Sequence, residues 1–122
     1  MTGRLLMVED EEGIRVAIAR MLRKKGLSVI EAGDGWAAID LIRNREEEID
    51  LILLDVTIPG ASSPEVFTEA QRIRPEIKVI LTTAYDREAA SNSFDAPQLK
   101  GFIRKPYEFA DLMRLLAESL PG

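Results

Sequence analysis

The stretch Leu51-Ile52-Leu53-Leu54-Asp55-Val56-Thr57-Ile58-Pro59-Gly60 joins four consecutive large apolar residues to a lone aspartate and then to a turn. Four apolar residues without polar alternation read as a strand covered on both faces, the pattern of a central strand in a parallel sheet. Pro59 and Gly60 punctuate its end. Beyond them Ser62 is suited to cap a helix, Pro64 to occupy its first position and Glu65 to complement its dipole, while Pro75 closes that helix.

The same alternation extends in both directions. Residues 4–8 (RLLMV) read as a buried strand, followed by Ile14, Ala17, Ile18, Met21 and Leu22 on one helical face up to Gly26. Residues 27–32 form a further strand, and Asp34 caps a helix carrying Trp36, Ala38, Leu41 and Ile42, with Trp36 expected as packing. On the C-terminal side, residues 77–82 (IKVILT) and 100–104 are strands. Between them, residues 86–99 are expected as a short helix, because Ser91, Asn92, Ser93 and Pro97 favour caps and turns. Phe109, Leu112, Met113, Leu116 and Leu120 complete a last helical stripe. The charged run at 43–48 (RNREEE) reads as a solvated helix end. Five strand-helix units with short connections imply a doubly wound α/β fold with a five-stranded parallel sheet and helices on both faces, in a single domain over residues 1–122.

Composition narrows the chemistry. The 122 residues include no cysteine and no histidine, which removes disulfides, thiolate nucleophiles, imidazole metal sites and Ser-His-Asp catalysis. Sixteen basic residues against 21 acidic ones give a net charge of −5, so nucleic-acid binding through a basic face is not expected. With no long apolar run and two carboxylates within the first ten residues, the chain is expected to be cytoplasmic, with neither signal peptide nor membrane contact.

In parallel α/β sheets, sites lie at the carboxyl ends of the strands. That edge receives Glu9-Asp10, Asp55, Thr82-Thr83 and Lys105-Pro106. Two carboxylates at about 4 Å repel by roughly 4 kcal/mol at an effective dielectric near 20, so positive charge is required. Lys105 supplies one charge, and an all-oxygen site suits a hard cation such as Mg²⁺ together with a phosphoryl group. Asp55 is the expected nucleophile, giving an acyl phosphate. Glu11 and Glu12 are read as complementing a helix dipole.

Four segments resemble the receiver domains of two-component response regulators. They are the acidic start Leu5-Leu6-Met7-Val8-Glu9-Asp10-Glu11, the segment Leu53 through Gly60, Thr82-Thr83-Ala84, and Gly101-Phe102-Ile103-Arg104-Lys105-Pro106. The resemblance implies a flavodoxin-like strand order 2-1-3-4-5. It implies that Asp55 accepts a phosphoryl group from a histidine of a kinase or phosphotransfer partner. Mg²⁺ would be held by Asp10, Asp55 and the Thr57 carbonyl, with Glu9 acting through water. Lys105 and Thr83 would contact phosphoryl oxygens, Thr83 and Phe102 would act as the switch, and Thr57 and Tyr85 would tune phosphoryl lifetime. It further implies a cis bond before Pro106, an output face (and possible homodimer contact) formed by the 86–99 helix, the fifth strand and the last helix, and attachment either alone, as a shuttle, or in a hybrid histidine kinase. Catalysis would be confined to the domain's own phosphotransfer and dephosphorylation. Three departures stand out: Glu9 in place of the commoner aspartate, Ala61-Ser62-Ser63-Pro64 after the turn, and the polar 86–99 segment. The alternatives are a receiver-like protein-binding module without phosphorylation, a flavin-binding relative, which the acidic 9–12 run opposes, and a carboxylate phosphatase, which Thr57 opposes where a second aspartate is needed.

Overall fold

The structure, a computed structural model, describes residues 2–44, 46–84, 94 and 98–120. In chain order these form β1 (Arg4–Val8), α1 (Glu12–Lys24), β2 (Ser28–Ala32), α2 (Gly35–Arg43), β3 (Leu51–Asp55), α3 (Ser63–Ile73), β4 (Lys78–Thr83), β5 (Leu99–Arg104) and α4 (Phe109–Ser119). All strand pairings are parallel and the sheet order is β2-β1-β3-β4-β5. The expected architecture and strand order are thus observed, with β3 central and every one of its residues buried.

Period-2 alternation divides the strands between two cores. Leu6, Val8, Ile52, Leu54, Val79 and Leu81 pack with Ala38, Ile39 and Ile42 of α2 and with Val66, Phe67 and Ala70 of α3. Leu5, Met7, Leu51, Leu53, Ile80 and Ile103 pack on the opposite side with Ala19 and Leu22 of α1 and with Leu112 and Leu116 of α4. Because β1, β3 and β4 are in register at Val8, Leu54 and Leu81, their next residues emerge side by side at one edge.

Local signals act where expected. Asp34 Oδ1 accepts from the Ala37 N–H at 2.8 Å, capping α2, and Gly26 takes φ +94° just past α1. Ser62 caps α3 in a capping box: its Oγ accepts from the Glu65 N–H at 3.3 Å while Glu65 reaches back to the Ser62 N–H. Pro64 takes the second helical position rather than the first, because Ser63 opens the helix and sends its buried hydroxyl to the Val56 carbonyl. Ser62→Ala is expected to cost about 1 kcal/mol, seen as a lower urea midpoint with an unchanged slope.

Several details differ from the sequence reading. Trp36 is 60% exposed instead of packed within the core, since the core face of α2 is filled by Ala38, Ile39 and Ile42; its indole lies over Gly60. The run at 43–48 is solvated as expected where it is described, with Arg43, Glu46 and Glu48 exposed, but the helix ends at its first residue. Helix α2 stops at Arg43, whose guanidinium bonds Glu69 of α3, and Arg74 binds the carbonyls of Ile42, Asn44 and Glu47 beyond it. Glu69 also accepts from Arg72, and these hydrogen bonds, Arg72 first and Arg43 second, hold its carboxyl below the usual range. Leu99, read as the end of a helix, opens β5 opposite Val79, because the Val79 N–H to Gln98 carbonyl bond (2.8 Å) already starts the ladder there. The rest of the 86–99 helix lies outside the described residues except Phe94, which is buried edge-on against Phe67 (centroids 5.5 Å apart, planes at 75°), and Gln98. Among the described residues no helix is long and apolar enough to cross a membrane.

Candidate functional site

The carboxyl edge of β1, β3, β4 and β5 gathers the predicted chemistry. Asp55 is the last residue of β3, paired with Thr82 of β4, and only 6% exposed. Its Oδ1 accepts from the Thr57 N–H at 3.0 Å, an Asx-type turn that fixes the carboxylate as the chain leaves the strand. Its Oδ2 accepts from Lys105 Nζ at 2.7 Å. Lys105 follows β5, and its backbone N–H donates to the Thr83 carbonyl at 2.7 Å, so the sheet ladder continues past the strand and delivers the ammonium to the edge. The Lys105–Pro106 bond is cis, as the resemblance implies.

Glu9 is 4% exposed. Its Oε1 accepts from Lys105 Nζ at 2.6 Å and its Oε2 from the Glu11 N–H at 3.2 Å. The longer side chain therefore spans from the start of α1 to the lysine, a contact that sequence reading did not assign to it. Asp10 is exposed beside it. Glu9, Asp10 and Asp55 each offer one carboxylate oxygen within 4.8 Å of the others. An all-carboxylate set of this kind, in a chain without His or Cys, is hard-donor chemistry suited to a cation such as Mg²⁺.

Lys105 is the positive centre among these acids. Burial, the largest single influence, pulls its pKa down, but hydrogen bonds to Asp55 and Glu9 and their charges outweigh it and leave the ammonium above its ordinary value. It is therefore charged throughout the neutral range, and the stability it contributes is lost only as pH rises past about 10.5. Nearby, burial raises the Tyr107 phenol.

Thr83 is buried at the end of β4, and Phe102 is half-buried on β5, packed against the α2/α3 core. Phe102 also lines a surface cavity of about 440 Å³ with Arg104, Tyr107, Asp111, Arg114 and Leu115, between β5 and α4. Thr57 is exposed, and Tyr85 lies outside the described residues. Sequence reading missed Arg15, whose guanidinium touches the Glu9 carbonyl. A basic residue in the first turn of a helix, against the dipole, was the available signal.

Comparison with known proteins agrees with this geometry. The family model described as the response regulator receiver domain matches residues 5–117. The chain is 30% identical over 122 residues to sporulation initiation phosphotransferase F of Bacillus subtilis, covering 99% of this chain and 96% of that protein. It is also 30% identical over 116 residues to the sensor kinase CckA of Brucella abortus, covering 95% of this chain but only 12% of the kinase. Among solved structures, the receiver domain of the hybrid histidine kinase CckA superposes with a TM-score of 0.79 at 31% identity (98% of this chain, 100% of that one). The response regulator TrrA of Thermotoga maritima, solved with Mg²⁺ and BeF, gives 0.82 at 28% identity (97% and 99%). A doubly wound sheet with this acidic edge, and a family match over nearly its whole length, make the chain a member of the response regulator receiver domain family of two-component systems.

Proposed function

We propose that residues 1–122 act as a single phospho-acceptor domain in a two-component phosphorelay, with Asp55 as the acceptor. The observation that carries this reading is the placement of Asp55: a nearly buried carboxylate held by the Thr57 N–H on one oxygen and by Lys105 on the other. In the transfer, an Asp55 carboxylate oxygen attacks the phosphorus of a phosphohistidine on the partner. The new P–O bond forms as the P–N bond breaks, and the electron pair returns to the imidazole. The absence of histidine from this chain fits that division of labour.

Asp10, Asp55 and the Thr57 carbonyl would hold Mg²⁺ directly and Glu9 through water, and the acidic cluster fits that ion. When bound, the ion supplies positive charge against the phosphoryl oxygens. Lys105 shifts from Asp55 to a phosphoryl oxygen while staying within reach of Glu9. Thr83 donates to another phosphoryl oxygen, and Phe102, already at the rim of the β5–α4 cavity, follows it and reshapes that face, which also serves as the homodimer contact. Thr57 and Tyr85 set the phosphoryl lifetime. The partner is a histidine kinase or phosphotransfer protein, in keeping with the names of both relatives, and the setting is cytoplasmic.

The test is intact mass after incubation with acetyl phosphate, with and without Mg²⁺. A Mg²⁺-dependent gain of one phosphoryl group is expected. No gain, together with no Mg²⁺-induced thermal shift, would leave a protein-binding module. Lys105→Ala is expected to lower the rate of phosphoryl gain about 10²-fold while changing Mg²⁺ affinity little, because the ammonium acts on the transferring group rather than on the ion. Equal loss of both would make the lysine structural.

A further inference from the structure

We propose that Arg15 is a positioning residue for the cation site, acting through the Glu9–Asp10 peptide; this rests on the reading of Glu9, Asp10 and Asp55 as that site. Arg15 stands in the first turn of α1, where the helix dipole disfavours a cation. Its place there is explained by what it holds. Nη1 donates to the Glu9 carbonyl at 3.0 Å, and Nε donates to Glu31 Oε1 at 3.3 Å. Glu31, on β2, is fixed in turn by Arg23, 3.2 Å from its other oxygen, and Arg23 donates to the Val29 carbonyl at 2.7 Å. The Arg15 side chain is only 18% exposed, and its guanidinium packs beside Gly33, where even a methyl group would stand 3.0 Å from Nη1.

The Glu9 carbonyl belongs to the planar peptide that joins Glu9 to Asp10. The Glu9 N–H is already bound to the Ala32 carbonyl at 3.1 Å. Arg15 therefore completes a clamp on the backbone from which two of the three clustered carboxylates project. Glu9 has further anchors for its side chain at Lys105 and the Glu11 N–H. Asp10 is exposed, so its direction depends on the backbone that carries it. Partners outside the ligand shell that orient metal ligands commonly matter by one to two orders of magnitude in affinity. The planar fork is essential here, since one side chain must serve a carbonyl and a carboxylate at once.

The experiment is an amide NMR titration of the ¹⁵N-labelled chain with MgCl₂ alone, for the unaltered protein and for Arg15→Ala, Arg15→Lys and Glu31→Gln. Unlike phosphorylation, this readout does not depend on transfer chemistry, and the spectrum itself reports folding. Arg15→Ala is expected to weaken Mg²⁺ binding about tenfold, and Glu31→Gln, which loosens the fork without removing it, roughly threefold. Arg15→Lys is expected to stay several-fold weaker than the unaltered chain. An Arg15→Ala affinity within about twofold of the unaltered protein overturns the proposal. So does full rescue by lysine, which would reduce the role to net charge. If Arg15→Ala does not fold, an unchanged affinity in Glu31→Gln overturns it instead. Absence of any Mg²⁺ response in the unaltered chain would overturn the cation-site reading itself.

Discussion

Asp55→Asn is expected to gain no phosphoryl group under conditions in which the unaltered chain gains one, and to melt at the same temperature or higher. The chemical half follows because a neutral amide is not the nucleophile that a carboxylate is. The structural half follows from the geometry. Asparagine keeps an Oδ1 to accept the Thr57 N–H, now at 3.0 Å, and Lys105 keeps Glu9 at 2.6 Å. What disappears is one negative charge from three whose ligand atoms lie within 4.8 Å of one another. At that separation each of the two pairs that include Asp55 repels by about 3.5 kcal/mol at an effective dielectric near 20, and the two together are comparable to the roughly 6 kcal/mol that its ion pair with Lys105 at 2.7 Å returns. The two effects nearly cancel in the absence of cation. Intact mass reads the first half and a thermal melt the second. Phosphoryl gain at Asp10 in the variant, located by peptide mapping, would move the acceptor; cooperative loss of folding would make Asp55 a structural residue.

Most of this site was legible because it depends on the ends of strands, and strand ends are marked by abrupt changes of chemistry. LILL gives way to Asp55 and RLLMV to Glu9-Asp10, so apolar patterning alone brings the carboxylates to one edge. Lys105 was legible for the same reason, one residue beyond β5. The features that escaped are set by reach and by long-range packing. Glu9 was read as a longer aspartate, but the added methylene lets it bridge the Glu11 N–H and Lys105, residues 2 and 96 positions away. Arg15 and Glu31 are 16 residues apart and meet only because β2 lies beside β1. Arg43 and Glu69 likewise meet only when α2 lies against α3, which makes the first residue of a solvated charge run a bridge between helices. Phe94 was hidden by its polar neighbours, although it fills the core against Phe67. Gly35 carried no signal in the sequence, since its requirement comes from a backbone 26 residues downstream.

That requirement makes Gly35→Ala the most destabilising single methyl group foreseen in this fold. A Cβ at Gly35 would lie 1.8 Å from the Ala61 carbonyl oxygen and 2.6 Å from its carbon. Both are backbone atoms, which cannot rotate away as the end of a side chain can. Neither partner has an easy retreat. Gly35 opens α2 directly after the Asp34 cap, and its own N–H donates to the Pro59 carbonyl at 3.0 Å. Ala61 is buried between Gly60, which takes φ +80° under Trp36, and Ser62, which caps α3. Relief therefore requires moving α2 away from the turn or rebuilding the turn that follows Asp55. Overpacking a fixed site usually costs 1–3 kcal/mol, and a backbone overlap this deep belongs at or above about 3 kcal/mol. Gly13→Ala is the matched control: it lies in α1 with no atom within 4 Å of its would-be Cβ, and is expected to stabilise by about 0.5–1 kcal/mol through helix propensity. Urea midpoints of the two variants should thus move in opposite directions. A Gly35→Ala chain as stable as the unaltered one would mean that the 59–62 turn shifts freely. Its hold on the backbone leaving Asp55 would then be loose, and the Thr57–Asp55 bond could not be the rigid support for the acceptor on which the proposed transfer depends.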